Sequence, residues 1–138
     1  IARQGDEAPN VTLERFAVAL VEMLSSETSL RMSVLVYREG GELPELVEAA
    51  ERNQYRHLVL PLAEFLRAAG LAGDDAEEMA RLFNTMALFP WQSAINFNHP
   101  LPSAQATAHH AALVAQIFVD GLAARRRRAT VESQGVNP

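Results

Sequence analysis

Apolar residues recur along this chain at helical spacing, and no stretch alternates as a strand would. Leu13, Phe16, Ala17, Leu20, Val21 and Leu24 lie three and four apart. They mark a first helix that Asn10 or Thr12 can cap and that Ser25 and Ser26 end. A second run, about Ser29 to Glu39, is apolar nearly all round through Leu30, Met32, Val34, Leu35, Val36 and Tyr37. Such a helix is expected in the middle of a bundle. Gly40 and Gly41 follow it and can supply the left-handed conformation of a helix C-terminal cap, with Arg38 and Glu39 as an ordinary charged pair at its end.

The longest pattern runs from Leu43 to Gly70 and predicts one amphipathic helix with a proline near its middle. Leu43, Leu46, Val47, Ala50, Leu58 and Phe65 share a face, and Glu45, Glu48, Arg52, Arg56 and Arg67 fall away from it. Pro44 sits in the first turn, where its missing donor costs nothing. Gln54 and His57 interrupt the apolar stripe, and Pro61 follows His57 by one turn. Pro61 cannot donate to the His57 carbonyl and its ring crowds that carbonyl. The helix should therefore kink and leave an unpaired acceptor beside two polar side chains. That arrangement can line a pocket, although Gln and His on such a stripe are also common as core residues bonded to a neighbouring helix.

Asp74 or Asp75 caps a fourth helix with Glu77 and Glu78 in its first turn, and Met79, Leu82, Phe83 and Met86 form its apolar face. The segment from Leu88 to Pro102 holds three prolines among Phe89, Trp91, Phe97 and His99. It is predicted to leave the helix and fold back over apolar surface, either sealing the core or lidding a pocket. Ser103 caps the last helix, Ala104 to about Arg126. There Ala108, Ala111, Ala112 and Ala115 alternate with Val114, Phe118, Val119 and Leu122, so one face is expected on its own domain and another on a partner chain. Arg125 to Arg128 lie at its end, where positive charge is favoured.

These patterns predict an all-α, antiparallel bundle of about five helices over residues 10–126, with 1–9 as a linker or disordered lead and 127–138 as a disordered tail. A chain of 138 residues with 49% hydrophobic content can build one core unaided. The absence of cysteine excludes disulfides, thiolate metal sites and cysteine nucleophiles. No apolar run approaches the roughly 20 residues that span a bilayer, and the first residues lack a signal-peptide core. The expectation is a cytoplasmic protein without a membrane partner. A net charge of −5 lacks the basic footprint of a nucleic-acid surface. Because the chain opens on Ile1 rather than Met, an upstream domain is expected.

Catalytic patterns are missing. Facing Glu-x-x-His pairs, HExxH, a P-loop, GxSxG and GxGxxG do not occur. His109 and His110 are adjacent, which points them about 100° apart on a helix and makes a poor chelating pair. His99 has no spaced acid or nucleophile. Neither an enzyme nor a metal or cofactor is expected.

The order of elements, carried by LRMSVLVYREGGELPEL, LVLPLAEFLRAAGLAGDD, AEEMARLFNTM and a terminal helix ending in FVDGLAAR, resembles the C-terminal regulatory domain of TetR-family transcriptional regulators. The resemblance covers about Leu13 to Arg126. It implies a homodimer whose last two long helices form an intersubunit four-helix bundle, with Leu82, Ala111, Val114, Ala115, Phe118, Val119 and Leu122 at the interface. It also implies a small-molecule cavity between the first two helices, the kinked helix and the fourth. Residues placed to line it are Phe16, Leu20, Met32, Tyr37, Gln54, His57, Leu58, Phe65, Phe83, Met86 and Trp91. They suit a hydrophobic or aromatic effector with one hydrogen-bonding group met by His57, Gln54 or Tyr37. DNA would be bound only through an N-terminal helix-turn-helix domain that this chain lacks, most commonly in repression. The alternatives are a dimerisation or protein-interaction module with a filled core and, behind it, a bundle enzyme.

Overall fold

A computed structural model describes residues 7–135, and every regular element among them is helical. In chain order these are α1 (Pro9–Leu24), α2 (Glu27–Glu39), α3 (Pro44–Gln54), a π-helical turn (Tyr55–Val59), α4 (Leu60–Ala68), α5 (Ala76–Phe97) and α6 (Ala104–Gly135). The segments α3, π turn and α4 follow one another without a loop, so the architecture is the expected all-α bundle of five helical rods. Three contacts pair rising positions at and along α5 with falling positions along α6 and so fix the two as antiparallel: Asp75 with Arg125, Phe83 with Phe118, and Met86 with His110.

The core follows from the apolar stripes. Leu13 of α1, Leu62 and Leu66 of α4, Phe83 of α5 and Phe118 of α6 meet in one buried cluster. The Phe83 and Phe118 rings pack edge to face with centroids 5.1 Å apart, a geometry that adds to the burial of each ring. A second cluster of Leu20, Val21, Leu88 and Trp91 sits toward the far ends of α1 and α5, and Phe16 packs against both clusters.

Two helix ends are closed by left-handed residues. At Gly70, φ is +66°, and the Leu71 and Gly70 N–H groups donate back to the carbonyls of Leu66 and Arg67. This is a Schellman closure, with Leu71 buried after it. Asn98 closes α5 in the same way at φ 53°, with His99 N–H donating to Ala94 O.

Four expectations need correction. Helix α2 is not in the middle of the bundle: none of its residues is buried, and it packs mainly on α1 and α3. Its apolar side chains lie all round, but it has neighbours on one side only. Gly40 is right-handed rather than left-handed, so α2 ends in a turn without the glycine cap. Helix α5 does not stop near Leu88. It continues through Pro90 to Phe97, burying Leu88, Trp91 and Ala94, so this segment seals the core as helix. At the ends, α1 already begins at Pro9, without a side-chain cap from Asn10 or Thr12, and the tail expected to be disordered is helical to Gly135. Residues 1–6 of the expected lead and 136–138 of the tail lie outside the described residues. Thr12 is buried, and its hydroxyl donates to the Glu7 carboxylate at 2.9 Å. Among the described residues, no helix is long and apolar enough to cross a membrane.

Candidate functional site

Two prolines lie within the long rods, and each removes a donor from the helix that holds it. Pro61 enters the first turn of α4 directly after the π turn, where the Leu60 N–H reaches back five residues to the Tyr55 carbonyl. The wider turn accommodates the proline ring. The side chain that answers this irregularity is Asn84 of α5: its Nδ2 donates to the Leu58 carbonyl at 3.1 Å. The sequence points to His57 as the free acceptor, and the donor arrives one residue later. Pro90 of α5 leaves the Met86 carbonyl without its usual partner four residues on. His110 Nε2 of α6 lies 2.8 Å from that oxygen, which assigns the proton to Nε2 because a carbonyl can only accept.

A groove of about 720 Å³ lies beside the π turn and runs between the α3 end and α5. Its floor is apolar and its rim polar: Val59, Leu60 and Leu88 lie with Asn84, while Gln54, Tyr55, Thr85 and Gln92 stand along it. Asn84 is only 2% exposed, and with Nδ2 committed to Leu58 its Oδ1 has no hydrogen-bond partner. A buried carbonyl left unpaired is costly, and such groups concentrate at sites that receive something.

Charge around the groove is mixed. Arg52, Arg56 and Arg81 belong to its lining together with Glu51. Arg52 also pairs with Glu48 at 3.4 Å, and the Arg81 guanidinium lies 5.6 Å from the centre of the Tyr55 ring. The Tyr55 hydroxyl donates to Glu77 at 3.1 Å, and this bond raises the hydroxyl's pKa above its ordinary value. Tyr55 therefore stays protonated and donating through the neutral range. At the far end, Gln92 Nε2 donates to the Tyr37 hydroxyl at 3.1 Å and ties α2 to α5.

Of the residues expected to line the cavity, Gln54 is in the groove and Tyr37 adjoins it through Gln92. Most of the others are packed core. Phe65 and Phe83 belong to the main cluster with Met86 at its margin, while Leu20, Leu58 and Trp91 belong to the second cluster and Phe16 bridges the two. His57 is exposed and lies in a shallow depression with Arg52, Asn53 and Arg56, and Met32 is exposed on α2. Apolar spacing picks out whatever faces inward, and packed walls face inward as readily as cavity walls. Asn84 went unmarked, although it interrupts the buried face of Ala80, Phe83, Ala87 and Leu88 as Gln54 interrupts its own stripe.

The expected interface is corrected more sharply. Ala111, Val114, Ala115, Phe118 and Leu122 are all buried inside their own chain, and Val119 packs against the same core. The helix is apolar on more than one side, and the richer side serves its own fold. Only Leu82 of that set is exposed, at 47%. Leu113 and Ile117 of α6 and Phe89 of α5 are exposed with it. At about 100° per residue, Leu113 and Ile117 share the face of α6 opposite Ala111 and Ala115, and Leu82 and Phe89 share a face of α5.

Among the described residues, no three His, Asp or Glu side chains come together in a group that could hold a metal ion. Comparison with protein-family models, with curated proteins and with solved structures finds no match to this chain.

Proposed function

We propose that this chain is the effector-binding and dimerisation domain of a cytoplasmic transcriptional regulator similar to the TetR family. In this reading the groove beside the π turn receives a small, largely apolar ligand. Its hydrogen-bonding group meets the Asn84 carbonyl or the Gln54 amide. The observation that carries the reading is the junction of Asn84 with Leu58: a buried amide holds a carbonyl of the irregular turn with one atom and leaves the other unpaired at the groove floor. A donor supplied by the ligand would satisfy that atom and tighten α5 against the rod α3–α4.

The switch is a population shift. A ligand moves the equilibrium only by its difference in affinity for two arrangements of the dimer, typically about 1–3 kcal/mol. The π turn and Pro61 separate two halves of one rod, so the half nearer α2 can tilt while α4 stays in the core. DNA binding, and the usual repressor role, belong to a helix-turn-helix domain outside this chain.

The test is a thermal-shift screen of neutral monocyclic and bicyclic aromatics against the chain and against Thr85→Phe. Thr85 is an exposed groove residue whose replacement fills the space without entering the core. Compounds that stabilise the parent chain and not the variant support the site, whereas equal stabilisation of both removes it. The exposed Leu82, Leu113 and Ile117 also favour a second reading, a dimerisation module without a ligand. Native mass spectrometry separates the two, since a dimer that neither carries nor takes up any small molecule is that module.

A further inference from the structure

The surroundings of Pro90 hold a second concavity, apart from the groove. Between α1, α5 and the first turns of α6 lies a separate cavity of about 160 Å³, and none of its lining residues is shared with the groove. Small side chains make the space: Ala17, Ala87, Ala106 and Ala111 surround it with Pro90. The Trp91 indole also lines it. Trp91 is 3% exposed, and its Nε1–H has no hydrogen-bond partner. Indole N–H groups in protein interiors normally find an acceptor. Here His110, a polar side chain of the same wall, is already committed to the Met86 carbonyl.

We infer that this cavity is a second binding site, for a small and mostly apolar molecule that carries one hydrogen-bond acceptor for the Trp91 indole N–H. The size suits that class, because an apolar void of roughly 150 Å³ holds a single six-membered ring. The chemistry suits it too: the unpartnered Trp91 donor, with the Thr107 hydroxyl as a second polar group in an otherwise alanine- and proline-rich lining, selects a ketone, ester or ether over a hydrocarbon of the same shape. A charged molecule is excluded, since no charged side chain lines the cavity to offset its desolvation. The alternative occupant is water, which needs two to four polar partners. With His110 taken, Trp91 and Thr107 are the polar side chains left in this wall, the minimum of that range, so water would be poorly held there.

Position gives occupancy a consequence. Pro90 and Trp91 are consecutive in α5, and His110 holds the carbonyl that Pro90 leaves without its helical donor. A molecule in the cavity therefore braces α5 against α1 and α6 at the place where α5 lacks its own hydrogen bond. The site shares nothing with the groove and is tested independently of it.

Trp91 is the only tryptophan of the chain, so the ¹⁵N-labelled protein gives a single indole cross-peak that reports this donor directly. The probes are cyclohexanone, which has a ring and an acceptor, and methylcyclohexane, which has the ring alone. Cyclohexanone should move the indole proton downfield in a saturable way, half-complete at or below about 10 mM, the range of a seven-atom ligand. Methylcyclohexane should not produce that downfield shift. Ala106→Phe, at an exposed position of the wall, should abolish the cyclohexanone response while the helical circular dichroism is unchanged. Should that variant fold poorly, Ala106→Leu serves the same purpose. A linear, non-saturating shift overturns the inference, as does a response that survives both variants. An indole proton that shows a persistent water cross-peak and ignores cyclohexanone also overturns it, and makes the cavity a hydration site.

Discussion

Asn84 is the residue on which the groove depends, because its side chain has two jobs of opposite sign. Its amide nitrogen satisfies Leu58, and its amide oxygen is left unpaired. Asn84→Asp keeps the shape but replaces the donor with a carboxylate that faces a carbonyl without any cation bonded to it. Chemical denaturation at pH 7 should show a loss of about 3–5 kcal/mol, the cost of an uncompensated buried charge. The sign with pH is fixed: burial raises the folded pKa of this Asp above its unfolded value, so the protonated form is favoured on folding and the loss should shrink as pH falls toward 5. Wild-type Asp75 behaves in the opposite sense. The hydrogen bond from Arg125 lowers its pKa below the ordinary carboxylate value. Its contribution is therefore present above the unfolded pKa and disappears as pH falls through the folded one. Both partners are partly exposed, so the effect is small and screened by salt. Arg125→Ala should flatten the acid limb of the stability curve below the ordinary carboxylate range in low salt, and a variant that keeps the parent's slope there would show that the pair contributes nothing. His110 makes a third case. His110→Leu orphans the Met86 carbonyl and should cost about 1–3 kcal/mol. In a Pro90→Ala background the helix regains its own N–H for that carbonyl, so the same change should cost less. A double-mutant cycle with no coupling would mean that the histidine merely packs.

At the scale of elements, the rods were legible in the sequence because each has an apolar stripe and a recognisable end. Gly70 marks the close of α4 both by pattern and by its φ of +66°. Gly70→Ala should therefore lose about 1–2 kcal/mol in thermal unfolding, the left-handed penalty of an L-residue. Gly41→Ala, at a position where an added methyl meets nothing, should be close to neutral by comparison. Proline is where reading by pattern failed. It treats an internal proline as a stop, which truncates α5, or as a kink with an orphaned carbonyl, which places the free acceptor at His57 rather than at Leu58. Neither rule includes the neighbouring helix. Asn84 and His110 each donate to a backbone carbonyl beside a proline, across 26 and 24 residues of sequence, and pairings at that separation leave no local trace. The position of α2 was illegible for a related reason. Periodicity says that a helix has apolar sides, and only tertiary contact says whether anything covers them. With no buried residue in α2 or in α3, the amides of these two helices should exchange fastest in hydrogen-exchange mass spectrometry, ahead of α5 near Phe83. Equal protection would mean that α2 is covered in solution by a surface outside this fold.

For the whole molecule, the decisive question is which side of the α5–α6 pair meets a second chain. The side rich in apolar residues is consumed by the core, with Val114, Phe118 and Leu122 each nearly inaccessible. What remains outside is sparser: Leu82 and Phe89 on α5, with Leu113 and Ile117 one turn apart on α6. Antiparallel helices with apolar residues on their outer faces can pair with a copy of themselves about a two-fold axis, each pair supplying two helices of four. That geometry is the one the proposed regulator requires, and it separates surface from core in a single experiment. Leu113→Arg and Ile117→Arg place charge on the outer face and should convert a dimer to a monomer in sedimentation at micromolar concentration, with helical content kept. Val114→Arg, one residue along on the inner face, should instead unfold the chain, because a charge there has no partner in the core. A parent chain that sediments as a monomer defeats the dimer, and with it the two-state switch built on the groove. A dimer untouched by both outer-face variants shows instead that the copies meet elsewhere, with the exposed apolar side chains of α2, Met32, Leu35 and Tyr37, as the next surface to change.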